Sequence, residues 1–161
     1  MQFETFTDLI LAELDTQTAR IDKCVGRLSE EIVWRRPRAG VNSVGNLCLH
    51  LAGNESHYIG HGMGDSGYVR DRSSEFNADG GFSREELLAK LREARQTTKA
   101  VFAKLGPDDM TRHLKLDHPE NATGLSVIIH VFDHYAYHTG QIVLLTRQWQ
   151  ESEERVLPWG H

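Results

Sequence analysis

The chain has 161 residues, 39% of them apolar and 25% charged, with a net charge of −5. That length makes one domain, residues 1–161, able to bury a core without disulfides, and the composition is that of a globular protein. The basic residues form no Lys/Arg stripe, which argues against nucleic acid as a partner, and the acidic balance argues against an anionic membrane surface.

The opening MQFETFTDLI has no basic region leading into an apolar stretch. No run nears the roughly 18 apolar residues of a membrane span, so a cytoplasmic protein is expected. Phe3, Phe6, Ile10, Leu14, Ile21, Val25 and Leu28 recur at three- and four-residue steps, which predicts a first helix from Phe3 to about Leu28, fraying at Gly26. Ser29 followed by Glu30 and Glu31 suits a short helical turn up to Trp34, which Pro37 ends.

A second helix starts near Asn42 or Ser43, either of which can cap it, with Val44, Leu47, Leu51 and Ile59 as its buried stripe. It runs into the glycine-rich GHGMGDSGYVRDR, and residues 60 to about 82 read as a long surface connection. Some 20 residues is unusual for a connection, which makes this one either functional or a crossover required by topology.

Ser83-Arg84-Glu85-Glu86 fits a capping box and starts a third helix, which Gly106-Pro107 stops. A loop over residues 108–121, with Pro119 inside it, leads to a fourth helix from about Thr123 to Trp149. This is the most apolar segment and is expected at the centre; an acidic tail from Glu151 ends in LPWGH. No strand pattern and no repeat is visible. The fold class is all-α, a four-helix bundle with one long crossover between the second and third helices.

Nine histidines are many for a chain this long, and their placement carries the functional reading. His134 and His138 lie four apart on the apolar fourth helix, so both imidazoles share one face and can converge on one ion. His50 sits in the apolar run LCLHLAG, where a buried imidazole needs a partner. Three histidines leave coordination positions open, as a metal site that does chemistry requires. His130 is four before His134, and spacing alone cannot say which of the three fourth-helix histidines stands outside the site.

His50, Asn54, His57 and His61 fall within about 60° of one another on a helical wheel. Asn54 and His57 are candidate substrate contacts in the same cleft, with His57 an alternative ligand. The other reading leaves His57 and His61 solvated near the glycine-rich end. Tyr137 is a third candidate substrate contact. Asp133 points away from the histidines and suits a hydrogen bond at the surface or behind a ligand. The residues between His134 and His138 exclude an HExxH protease motif. Cys24 and Cys48 read as buried reduced thiols.

GNLCLHLAGN at 45–54, RDRSSEF at 70–76 and HVFDHYAYHTGQIVLLTRQW at 130–149 together resemble the DinB-like family, in order and over nearly the whole chain. The resemblance implies an up-down-down-up four-helix bundle. It also implies a divalent metal, zinc or nickel, on His50, His134 and His138, with His130 outside the triad, and a homodimer. Better-known relatives are S-transferases using bacterial thiols such as bacillithiol or mycothiol, and a mycothiol-dependent isomerase. The function expected is therefore thiol transfer to a small electrophile at an open metal site, with a low-molecular-weight thiol as co-substrate. The alternatives are a metal-dependent hydrolase and a non-enzymatic metal-binding or stress-response protein. Fold and site transfer within a family better than reaction does.

Overall fold

The computed structural model describes residues 3–116 and 121–157. Pro119 and the closing residues 158–161 lie outside them. The described residues are all-helical, apart from one isolated antiparallel bridge between His113 and Thr123. Helix α1 spans Phe3–Val25 and α2 spans Glu30–Trp34; α3 spans Val44–Glu55 and runs on through a π-helical stretch, Ser56–His61. Helix α4 spans Arg72–Asn77, α5 spans Arg84–Phe102, and α6 spans Gly124–Trp149 after a 3-10 turn at Pro107–Met110.

The helix starts follow side-chain chemistry. The Ser29 side chain accepts from the Ile32 amide, and Ser43, Ser83 and Thr123 each form a reciprocal capping box with the residue three places on. Each capping box satisfies two amides that would otherwise lack partners at the helix start, and the Ser29 cap satisfies one. Helix α1 stops three residues short of Leu28, at Val25 before Gly26.

Four long helices enclose one apolar core. Helices α1 and α3 each pack against both α5 and α6. Leu14 and Ile21 of α1, Leu47 and Leu51 of α3, Leu87 and Leu91 of α5, and Ile128 and Ile142 of α6 are all buried. The tail returns to this core, where Val156 and Leu157 are buried too.

Two expectations need correction. The stretch after Ile59 is more than a surface connection. The π-helical turn extends α3 to His61, and Asp71 caps α4, its side chain accepting from the Ser74 amide. Asn46 Nδ2 donates to the Glu75 and Ala78 carbonyls, and Arg36 Nη2 donates to the Phe76 and Ala78 carbonyls. These bonds dock α4 on α3 and bury Glu75. Helix α6 is also less central than its composition implies, with Leu125, Ile129 and Leu144 39%, 52% and 66% exposed. It packs on α1 and α3 with its inner side, so apolar residues all round it leave one apolar face outward.

Candidate metal centre

Three imidazoles meet where α3 faces α6. His50 Nε2 lies 3.0 Å from His134 Nε2, and His138 Nε2 lies 3.1 Å from the same atom. One ligand atom from each of the three falls within 4.8 Å of the other two. The i, i+4 spacing stacks His134 over His138, while α3 delivers His50 from across the interface.

The neighbours fix which nitrogens are bare. His50 Nδ1 lies 2.8 Å from Glu75 Oε2, and an ionised carboxylate only accepts, so Nδ1 carries the proton. Gln141 Oε1 stands 2.7 Å from His138 Nδ1 and, as an acceptor, leaves the proton on that nitrogen. Both rings therefore point a lone pair from Nε2 at His134 Nε2. A single N–H on His134 can answer only one of them. A cation answers all three: nitrogens at about 2.0–2.1 Å from a tetrahedral ion stand about 3.3 Å apart, near the 3.0 Å and 3.1 Å that separate His134 Nε2 from the other two. The donor set is neutral imidazole, the ligand type that suits zinc, nickel and copper.

The electrostatics agree with neutral rings at His134 and His138. Burial first, then the neighbouring His138, His50 and His130 imidazoles and Arg70, push His134 down to about 3. Burial also lowers His138, against the Gln141 hydrogen bond that raises it, and His50 lowers it further. Burial alone would raise Glu75, but hydrogen bonds from His50 and Arg70 hold it below the usual carboxylate range. Arg70 reaches both carboxylate oxygens, with Nε 2.7 Å from Oε1 and Nη2 2.7 Å from Oε2. Glu75 comes this close because residue 53 is glycine: a Cβ there would run into Glu75 Oε1.

Directly behind the histidines lies a second polar cluster. Glu55 is fully buried; its Oε1 accepts from Arg95 Nε at 2.7 Å and Thr98 Oγ1 at 2.6 Å. Its Oε2 accepts from Arg95 Nη2 at 3.1 Å and the Tyr135 hydroxyl at 2.6 Å. Burial, with Glu55 beside it, drives the Tyr135 phenol well above its ordinary value, so it stays a donor. Tyr135 follows His134 in α6, so this cluster fixes the helix that presents two of the imidazoles.

The centre opens into a cleft of about 570 Å3 lined by His50, Asn54, His57, Tyr58, Arg70, Arg72, His130 and His134. Asn54 and His57 are thus both on the cleft wall. His130 lies outside the converging three; its ring stacks on His134 with centres 5.4 Å apart, and its Nε2 meets Asn54 Nδ2 at 3.2 Å. His61 does not line the cleft. Its ring nonetheless stacks on that of His57, with centres 6.1 Å apart, so the two still share a face. Tyr137 is 63% exposed and outside the lining, its ring 5.0 Å from that of His138. Asp133 is exposed. Cys24 and Cys48 are free and buried, and burial pushes Cys48 up to about 12, so neither is a ready nucleophile.

Sequence reasoning missed Glu75, Arg70, Gln141 and the Glu55 cluster. A signal existed for two of them. Asp71 with Glu75 marks a short helix, and Gln141 follows His138 at the three-residue spacing of helix neighbours.

The family model described as the DinB superfamily matches residues 13–142. No curated protein matches the chain. Among solved structures, a conserved protein of Enterococcus faecalis is 16% identical, with a TM-score of 0.69, over 91% of this chain and 96% of that one. A DinB-like protein of Bacillus cereus ATCC 10987 is 16% identical with a TM-score of 0.67, over 86% and 89%. At that identity the likeness shows a shared fold. Among the described residues, no helix is long and apolar enough to cross a membrane.

Proposed function

The chain belongs to the DinB superfamily, and we propose that it is a metal-dependent enzyme that activates a low-molecular-weight thiol against a small electrophile. The observation that carries this reading is the convergence of the His50, His134 and His138 Nε2 atoms beside an open cleft that His50 and His134 line. Zinc or nickel bound there supplies Lewis acidity, which makes a thiolate available at neutral pH.

The chain's own residues do the rest. Glu75 and Gln141 hold the Nδ1 protons of His50 and His138, so their Nε2 atoms stay available as ligands. Arg70 keeps Glu75 ionised and in place. Asn54 and His57 on the cleft wall, and Tyr137 beside His138 at the rim, are the proposed substrate contacts.

The same reading treats residues 1–161 as one up-down-down-up four-helix bundle acting as a cytoplasmic homodimer. The outward apolar face of α6, with Leu125, Ile129 and Leu144, supports a second copy as partner. A Cβ at Gly140 would meet nothing within 4 Å, which leaves that face room for close helix approach.

The test incubates metal-loaded protein with bacterial thiols and a chlorinated aromatic compound. In the expected reaction a carbon–sulfur bond forms, the carbon–chlorine bond breaks, chloride leaves, and the thiol proton passes to solvent. Mass spectrometry should find the S-adduct in step with chloride release. Bound metal with no turnover for any thiol contradicts the thiol part of the reading.

A further inference from the structure

The cleft wall beyond the three imidazoles carries a pattern that the metal alone does not use. Among the described residues no carboxylate lines it, although the chain has 23 acidic residues against 18 basic. Of its two arginines, Arg70 is neutralised by Glu75. Arg72 makes no ion pair among the described residues; its guanidinium lies over Phe76, 4.9 Å from the ring centre. A stacked guanidinium keeps its fork of N–H donors at the edge, ready for a carboxylate. Phe76 also packs against His50, with ring centres 4.5 Å apart, so Arg72 and the metal centre flank one ring.

Asn54 makes the second observation. It is 3% exposed, and its Nδ2 faces His130 Nε2. Its buried Oδ1 has no hydrogen-bond partner among the described residues. A buried amide oxygen left bare carries a desolvation penalty, which a ligand's N–H or O–H would remove.

We infer that this cleft takes a small carboxylic acid that also carries a neutral N–H or O–H donor. Its carboxylate pairs with Arg72, its donor serves Asn54 Oδ1, and its thiol reaches the three-histidine centre. The thiol's role rests on the proposed function. An amide or hydroxyl suits the site better than an ammonium, because among the described residues no carboxylate lines the wall to pair with a second cation.

The experiment first measures metal per chain, then titrates the metal-loaded protein calorimetrically with N-acetylcysteine, N-acetylcysteinamide and 3-mercaptopropionate. N-acetylcysteine should bind about tenfold more tightly than its neutral amide, as a charge-assisted pair predicts. Arg72→Gln, at an exposed position, should bring the two to within about twofold without changing metal content. 3-Mercaptopropionate, which lacks the N–H, should bind several-fold more weakly than N-acetylcysteine, and Asn54→Ala should erase that gap. Equal binding of acid and amide, no binding of any probe, or a preference that survives Arg72→Gln overturns the inference while the metal reading stands. Failure to hold metal at all overturns the metal reading, and the inference falls with it.

Discussion

Two polar clusters sit back to back between α3 and α6, and they are built on opposite rules. The Glu55 cluster is closed: both carboxylate oxygens are buried and together accept four hydrogen bonds, from Arg95, Thr98 and Tyr135. The histidine cluster is open: two lone pairs converge on one nitrogen, and His134 Nδ1 is buried with no partner among the described residues. A satisfied buried network holds a unique packing. A set of like donor atoms aimed at one point is instead completed by a ligand. The two share helices, since His50 and Glu55 lie on α3 and His134 and Tyr135 on α6. The closed cluster therefore sets the geometry that the open one needs.

The sharpest break of this contrast is Glu55→Gln. Among the described residues it leaves Arg95, whose side chain is 4% exposed, with only the half-exposed Asp15 as an ionic partner. Removing one member of a buried pair costs about 3–5 kcal/mol, so thermal unfolding should shift down on the order of 10 °C. His50→Ala, measured in chelator, should shift it much less, because that site is incomplete without its ion. Equal losses from the two variants would erase the distinction between the clusters.

A smaller effect comes from behind the open cluster. Glu75→Gln should weaken metal binding by about 10–100-fold, as loss of a carboxylate behind a ligating imidazole does. Gly53→Ala should push in the same direction, because the new methyl displaces the Glu75 carboxylate. Competition with a chromophoric chelator measures both. An unchanged affinity in both variants would show that the Glu75–His50 bond does not orient the ligand.

Much of this was legible in the sequence where one residue's chemistry acts locally. Ser29, Ser43, Ser83 and Thr123 mark their helix starts because the cap bond spans three residues. The His134–His138 spacing places two imidazoles on one face for the same reason. The rest depends on contacts distant in the chain. Glu75 meets His50 across 25 residues, and Arg95 meets Glu55 across 40. No periodicity reports such pairings. Helix α4 was missed because its six residues are too few for an apolar stripe and are held by Asn46 and Arg36 rather than by their own propensity. The π-helical turn was missed because its spacing differs from that of an α-helix only once the structure is known. The exposed face of α6 was taken for core because apolar content says nothing about which sides of a helix are covered.

The central claim is that the three converging Nε2 atoms form a metal site. Elemental analysis of the purified, metal-reconstituted protein and its His134→Ala variant tests it most directly, with circular dichroism confirming that both are folded. The account predicts about one divalent ion per chain in the parent protein and none retained by the folded variant. A folded parent that holds no ion, or a variant that holds it as tightly as the parent, would contradict it.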